Sequence, residues 1–171
     1  MRAATLVLTI PVVVLLTQPL WAPEWGAGIL GEVAAVGPIA GGLTVAVFFG
    51  AVALYYLALQ RLLAQVPESA RHRSTRSVWL MFALPFNFVE DFFIVGAIDR
   101  SLAADGRTPP NARRLWAATG LAWCTLQIAS LLPGPIGVGT GALALLVWAG
   151  HWIHTVLLRR RLAAATSAVP A

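Results

Sequence analysis

The chain has one cysteine and no lysine, and only 11% of its 171 residues are charged. A lone thiol, Cys124, excludes an intramolecular disulfide and any CxxC redox or zinc motif. With 58% hydrophobic residues and a mean hydropathy of +0.77, the scarcity of charge leaves too little polar surface for a water-soluble domain of this size. A phosphate-cradling glycine loop, a nucleophile elbow and an HExxH helix are also missing. No cofactor and no metal are therefore expected.

All twelve basic residues are arginines, giving a net charge of +5. They stand at the ends of apolar runs, where arginine acts as a topology signal and grips anionic headgroups. That placement argues for membrane lipids as partners and against nucleic acid.

Five apolar stretches approach the roughly 20 residues that a bilayer requires: 3–20, 41–60, 77–98, 115–132 and 136–158. The expected fold is all-α, a polytopic integral membrane bundle of four or five membrane segments, forming one domain over residues 1–171 with a flexible tail at 162–171. Pro133-Gly134-Pro135 allows only a tight hairpin, so the last two helices should be antiparallel neighbours. Residues 26–42 are apolar and glycine-rich, with Glu32 and Pro38, and suit a surface-lying or dipping segment. The first stretch has two readings. Arg2 ahead of an apolar core and Ala22 near a cleavage point fit a signal peptide, whereas Trp21 and Trp25 fit an interfacial anchor.

Arginine placement sets the orientation. Arg2, the group Arg61, Arg71, Arg73 and Arg76, the group Arg100, Arg107, Arg113 and Arg114, and the run Arg159 to Arg161 mark four connections or ends. The expected location is a cell or inner membrane, multi-pass, with these segments cytoplasmic. Stretch 77–98 would then begin and end on one side as a re-entrant element. In the competing topology it spans, kinked at Pro85, and one Arg-rich loop lies on the far side.

Glu90 and Asp91 lie inside that stretch. A carboxylate at bilayer depth costs several kcal/mol unless it is paired, protonated or facing water, which makes it a functional candidate. Helical spacing after Pro85 aligns Asn87, Glu90, Asp91 and Ile94, a polar seam flanked by Phe86, Phe88, Phe92 and Phe93. Two adjacent acids there cannot easily both ionise, and a protonated acid beside an ionised one is an acid/base pair. The structural alternative is that one acid pairs with an arginine or caps a broken helix, with Asn87 bonding across helices.

Two further faces could complete a pocket: Thr119, Trp123 and Gln127 at intervals of four, and Tyr56 with Gln60. His151 and His154 have ligand spacing but lack further ligands, and read best as polar residues at headgroup level. Glycines 134, 137, 139 and 141 suit close helix packing.

The string Phe88-Val89-Glu90-Asp91-Phe92-Phe93 resembles the acidic signature of the small membrane-embedded lycopene cyclase subunits. That family folds as a short bundle of membrane helices and cyclises the ends of a linear carotenoid by proton-initiated chemistry without net redox. The resemblance implies that Glu90 and Asp91 match its acidic pair. The family's proline stands two residues before the first acid, where this chain has Phe88; Pro85 is five before. The leading expectation is a membrane cyclase or isomerase acting on a lipid-soluble, isoprenoid-type substrate. Glu90, Asp91 and Asn87 would be catalytic, and Phe86, Phe88, Phe92, Trp123, Gln127 and Tyr56 would bind substrate. The rivals are a proton- or cation-coupled transporter or channel component, which would oligomerise, and an accessory subunit whose acids meet a partner's arginine.

Overall fold

Prolines and glycines cut the apolar sequence into helices. The structure, a computed structural model, describes residues 3–167, and every regular element among them is helical. These are α1 (Ala3–Leu16), the single turn α2 (Gln18–Trp21), α3 (Gly28–Ala35), α4 (Pro38–Ala64), α5 (Asn87–Asp105), α6 (Pro110–Ala129) and α7 (Gly134–Ser167), with 3-10 turns at Pro23–Trp25, Glu68–Ala70 and Thr75–Phe82. Arg2 and residues 168–171 of the expected tail lie outside the described residues.

Helices α4 and α6 open on a proline in the first turn, where the missing N–H is no loss and φ is already helical. Gly37, at φ 87°, lets the chain reverse from α3 into α4. Gly106, at φ 72°, ends α5 by donating its N–H to the Leu102 carbonyl.

Of the five expected segments, two form helices long and apolar enough to cross a membrane: α4, and α7 over Gly134–Ala165. Only 28% of the most apolar window of each is buried, so both turn most of their apolar surface outward, unlike the core helix of a soluble protein. Helix α1 is apolar but has 14 residues, about 21 Å at 1.5 Å per residue against a hydrocarbon core of about 30 Å. Helix α5 carries Glu90, Asp91, Asp99, Arg100 and Asp105, and α6 carries Arg113 and Arg114. Helix α7 continues beyond 158 to Ser167, because Leu158 and Leu162, one turn apart, both pack into the core. Residues 162–167 are thus helix rather than tail.

Stretch 77–98 is not one helix. Pro85 cannot donate a backbone hydrogen bond and disfavours helical geometry in the residue before it, so a 3-10 segment ends at Phe82 and α5 begins at Asn87. The Leu84–Pro85 peptide is cis. The 3-10 segment descends beside α4: Trp79 Nε1 donates to Gln60 Oε1 at 2.9 Å, Tyr56 donates to the Met81 carbonyl at 3.1 Å, and the Phe82 ring lies 6.4 Å from that of Phe49. Helix α5 then climbs back. His72 N–H donates to Ser101 Oγ at 2.9 Å, and Arg107 donates to the Gln65 carbonyl at 2.6 Å. Residues 72 and 101 therefore meet, near the C-terminal end of α4. Tyr56→Phe should cost about 1 kcal/mol by orphaning the Met81 carbonyl. Denaturant unfolding of the variant checks this.

The α6 and α7 hairpin packs against α5 and α4, and α1 lies on α5. Arginines gather at one end. Arg113 pairs with Asp99 at 2.6 Å, and Trp116 donates to Thr155 at 2.9 Å, which brings the start of α6 beside the later turns of α7. Of the glycines expected to serve close helix packing, Gly137 instead fits against the turn before α7, where a Cβ would lie 1.9 Å from the Leu132 carbonyl oxygen, and Gly134 and Gly139 face open space.

Candidate functional site

Successive residues of an α-helix point about 100° apart, so Glu90 and Asp91 on the first turns of α5 meet different neighbours. Glu90 is 1% exposed. Its Oε2 accepts from Thr5 of α1 at 3.0 Å, and its Oε1 accepts from Arg73 of the loop after α4 at 2.5 Å. Asp91 is fully buried. Its Oδ2 accepts from Gln127 Nε2 of α6 at 3.3 Å, its Oδ1 has no hydrogen-bond partner, and among the described residues it forms no ion pair. Asn87, one turn earlier, is buried with its own Oδ1 unpartnered.

The expected seam therefore divides: Glu90 has its own cation, and Asp91 with Asn87 has none. Asp91 stands 14 residues before the end of α5 at Asp105, about 21 Å along the axis from the arginine-rich end.

The other candidates separate too. Gln127 reaches Asp91, and Trp123 is buried edge-on to Tyr55 at 5.3 Å. Phe86, Phe88 and Phe92 are half-buried, with Phe92 packed against the core. Tyr56 and Gln60 do not complete the acid pocket, because Met81 and Trp79 occupy their polar atoms; they hold the 3-10 segment to α4.

His151 faces the interior of the bundle. It is fully buried, with Nδ1 3.0 Å from Thr119 Oγ1, its ring 4.8 Å from that of Trp116, and Nε2 unpartnered. His154, on the next turn, is half-buried. Among the described residues no three His, Cys, Asp or Glu side chains gather as a metal site.

Close approach of α5, α6 and α7 depends on Gly120. A Cβ there would stand 2.9 Å from both His151 Cε1 and Val95 Cγ1. Gly120→Ala should destabilise the protein by about 1–3 kcal/mol through overpacking, read as a lowered unfolding midpoint.

Arg73, Thr5, Tyr55 and Gly120 also border the site. Tyr55 had a usable signal, since Leu59 and Leu62 follow at helical spacing and all three are buried. Arg73 had none: it is one of several loop arginines, and only the fold selects it. No protein-family model, curated protein or solved structure matches this chain.

Proposed function

We propose that this chain is a multi-pass membrane protein in which Asp91 does acid/base work on a lipid-soluble, isoprenoid-class substrate. The observation that carries this reading is a fully buried carboxylate with one amide donor, no cation among the described residues, and a free oxygen, one helical turn from Asn87, whose Oδ1 is also free. Keeping such a group charged in an apolar interior costs several kcal/mol, so it holds its proton. Asp91 Oδ1–H gives that proton to a substrate double bond, the resulting cation closes or rearranges, and the Asp91 carboxylate takes a proton back from the adjacent carbon. The sequence is redox-neutral and regenerates the acid. Asn87 and Gln127 orient the carboxyl group, while Trp123 and the half-buried Phe86, Phe88 and Phe92 supply ring faces to a carbocation. Glu90, neutralised by Arg73, holds α1 and the loop in place.

The likeness of residues 88–93 to the small lycopene cyclase subunits directs the substrate class. The apolar outer faces of α4 and α7 support membrane embedding, and the arginine-rich end supports a cytoplasmic side there with 77–98 re-entrant. A cation-transport role is less favoured, because Glu90 already has its cation. The test is mass spectrometry of the lipids carried through purification. An isoprenoid retained by Asp91→Asn protein supports the proposal; bulk phospholipid alone, in wild type and variant, overturns it.

A further inference from the structure

Each acid near the arginine-rich end already has an arginine. Asp99 meets Arg113 at 2.6 Å, Asp105 meets Arg107 at 2.9 Å, and Glu68 lies 3.9 Å from Arg71. Arg61 of α4, Arg100 of α5, Arg114 of α6 and Arg160 of α7 are exposed, and among the described residues they form no ion pair. Each of these helices thus carries outward charge that no acid of the fold balances.

Their placement follows the apolar surface. Arg61 stands seven residues after Leu54, Arg100 seven after Phe93, Arg114 seven before Leu121 and Arg160 seven after Ile153. Seven residues are about two helical turns, so each arginine shares a face with that apolar side chain. Leu54, Leu121 and Ile153 are exposed, and Phe93 is half-buried. The guanidinium groups therefore stand at the ends of outward apolar stripes on four different helices. An acidic protein or a nucleic acid would approach from water and meet one face, which charges spread around the bundle fit poorly. Lipid headgroups surround the bundle, and their phosphates lie where the apolar surface ends.

Arg100 is the best defined of the four. A helical side chain leans toward the N-terminus of its helix, which on α5 is the end that holds Asp91. The guanidinium follows that lean: its Nη1 would lie 3.6 Å from a Cβ placed on Gly96, so it crosses the glycine. That puts it one turn, about 6 Å, nearer the middle of the bundle than the backbone that carries it. A cation at such a depth with no acid needs an anion from outside the chain. Gly96, with no side chain, and Phe93 beyond it leave a strip for an acyl chain.

We infer that the arginine-rich end is a girdle for anionic membrane lipids, with its defining site on α5. A lipid phosphate rests on Arg100, and the acyl chains run past Gly96 and Phe93. The inference rests on the membrane embedding in the proposed function and is independent of the chemistry at Asp91.

The experiment is native mass spectrometry of the full-length protein, freed of lipid in detergent and titrated with phosphatidylglycerol or with phosphatidylcholine of the same acyl chains. Phosphatidylglycerol should bind more tightly in its first step. Arg100→Gln should raise the Kd of that step by roughly fivefold, the scale of one arginine facing an anionic surface, and Arg100→Lys should keep most of the affinity. Arg76→Gln removes an equal charge from another exposed arginine without an ion pair, on the 3-10 segment, and should leave the first step unchanged. Neither variant breaks an ion pair of the fold, so both proteins remain testable. Equal Kd values for the two lipids in wild type, an unchanged Kd in Arg100→Gln, or equal weakening by Arg100→Gln and Arg76→Gln overturns the site. Flotation of wild-type protein with phosphatidylcholine vesicles reads the embedding separately. Protein that stays at the bottom of the gradient overturns the membrane reading and this inference together.

Discussion

Asp91→Asn is expected to reduce the proposed turnover of a lipid-soluble, isoprenoid-class substrate in reconstituted membranes by about 10²- to 10⁴-fold, the usual contribution of a positioned general acid. Asparagine has nearly the same shape and can keep a hydrogen bond with Gln127, but it cannot deliver a proton. The unfolding midpoint should therefore hold, because no cation is stranded and the buried carboxyl group is replaced by another neutral one. That combination separates a chemical role from a structural one. Glu90→Gln should behave differently: it leaves Arg73 facing an amide, so stability falls and any loss of activity follows the loss of folded protein. Wild-type turnover in Asp91→Asn would remove the acid role.

Arg73→Met should destabilise the protein by about 3 kcal/mol, the lower part of the range for breaking a buried ion pair. The cost arises at Glu90, which is 1% exposed and would keep only the Thr5 hydroxyl as a partner. The lower figure applies because the Arg73 side chain is 17% exposed, so water reaches the pair from its side. The double variant Arg73→Met with Glu90→Leu should recover most of the loss, since a matched apolar pair costs little to bury. Unfolding titrations of the two single variants and the double variant give the coupling directly. A loss below about 1 kcal/mol in Arg73→Met would place this bridge among surface pairs and remove its role in anchoring the loop after α4 to α5.

Helix formation was readable in the chain because its signals are local. Pro38 and Pro110 open helices, Pro85 breaks one, and Gly106 closes one within a residue or two of where each stands. Helix lengths were less readable. The expected third segment ended at 98, yet α5 runs to Asp105, because Ile98, Ser101 and Leu102 are buried on its packed face despite the charges between them. At the site, spacing placed Asn87 and Asp91 correctly on one face, since four residues return a helix to nearly the same direction. Glu90 shares that spacing in the sequence, but its neighbour in the fold is a loop arginine, Arg73. His151 illustrates the opposite limit. Its position eight residues before Arg159 gave no sign of a packed environment, whereas the small Gly120 on α6 opens room for the imidazole in the core.

Sequence by itself therefore determined an all-helical, strongly apolar chain with its arginines at helix ends and two acids at a helix start, all properties of near neighbours along the backbone. Tertiary structure decided which acid is neutralised and which is left alone. The partners come from 17, 36 and 85 residues away, as Arg73, Gln127 and Thr5. Pairings across such separations depend on how helices pack, and helix packing is set by the summed fit of many side chains rather than by any short pattern.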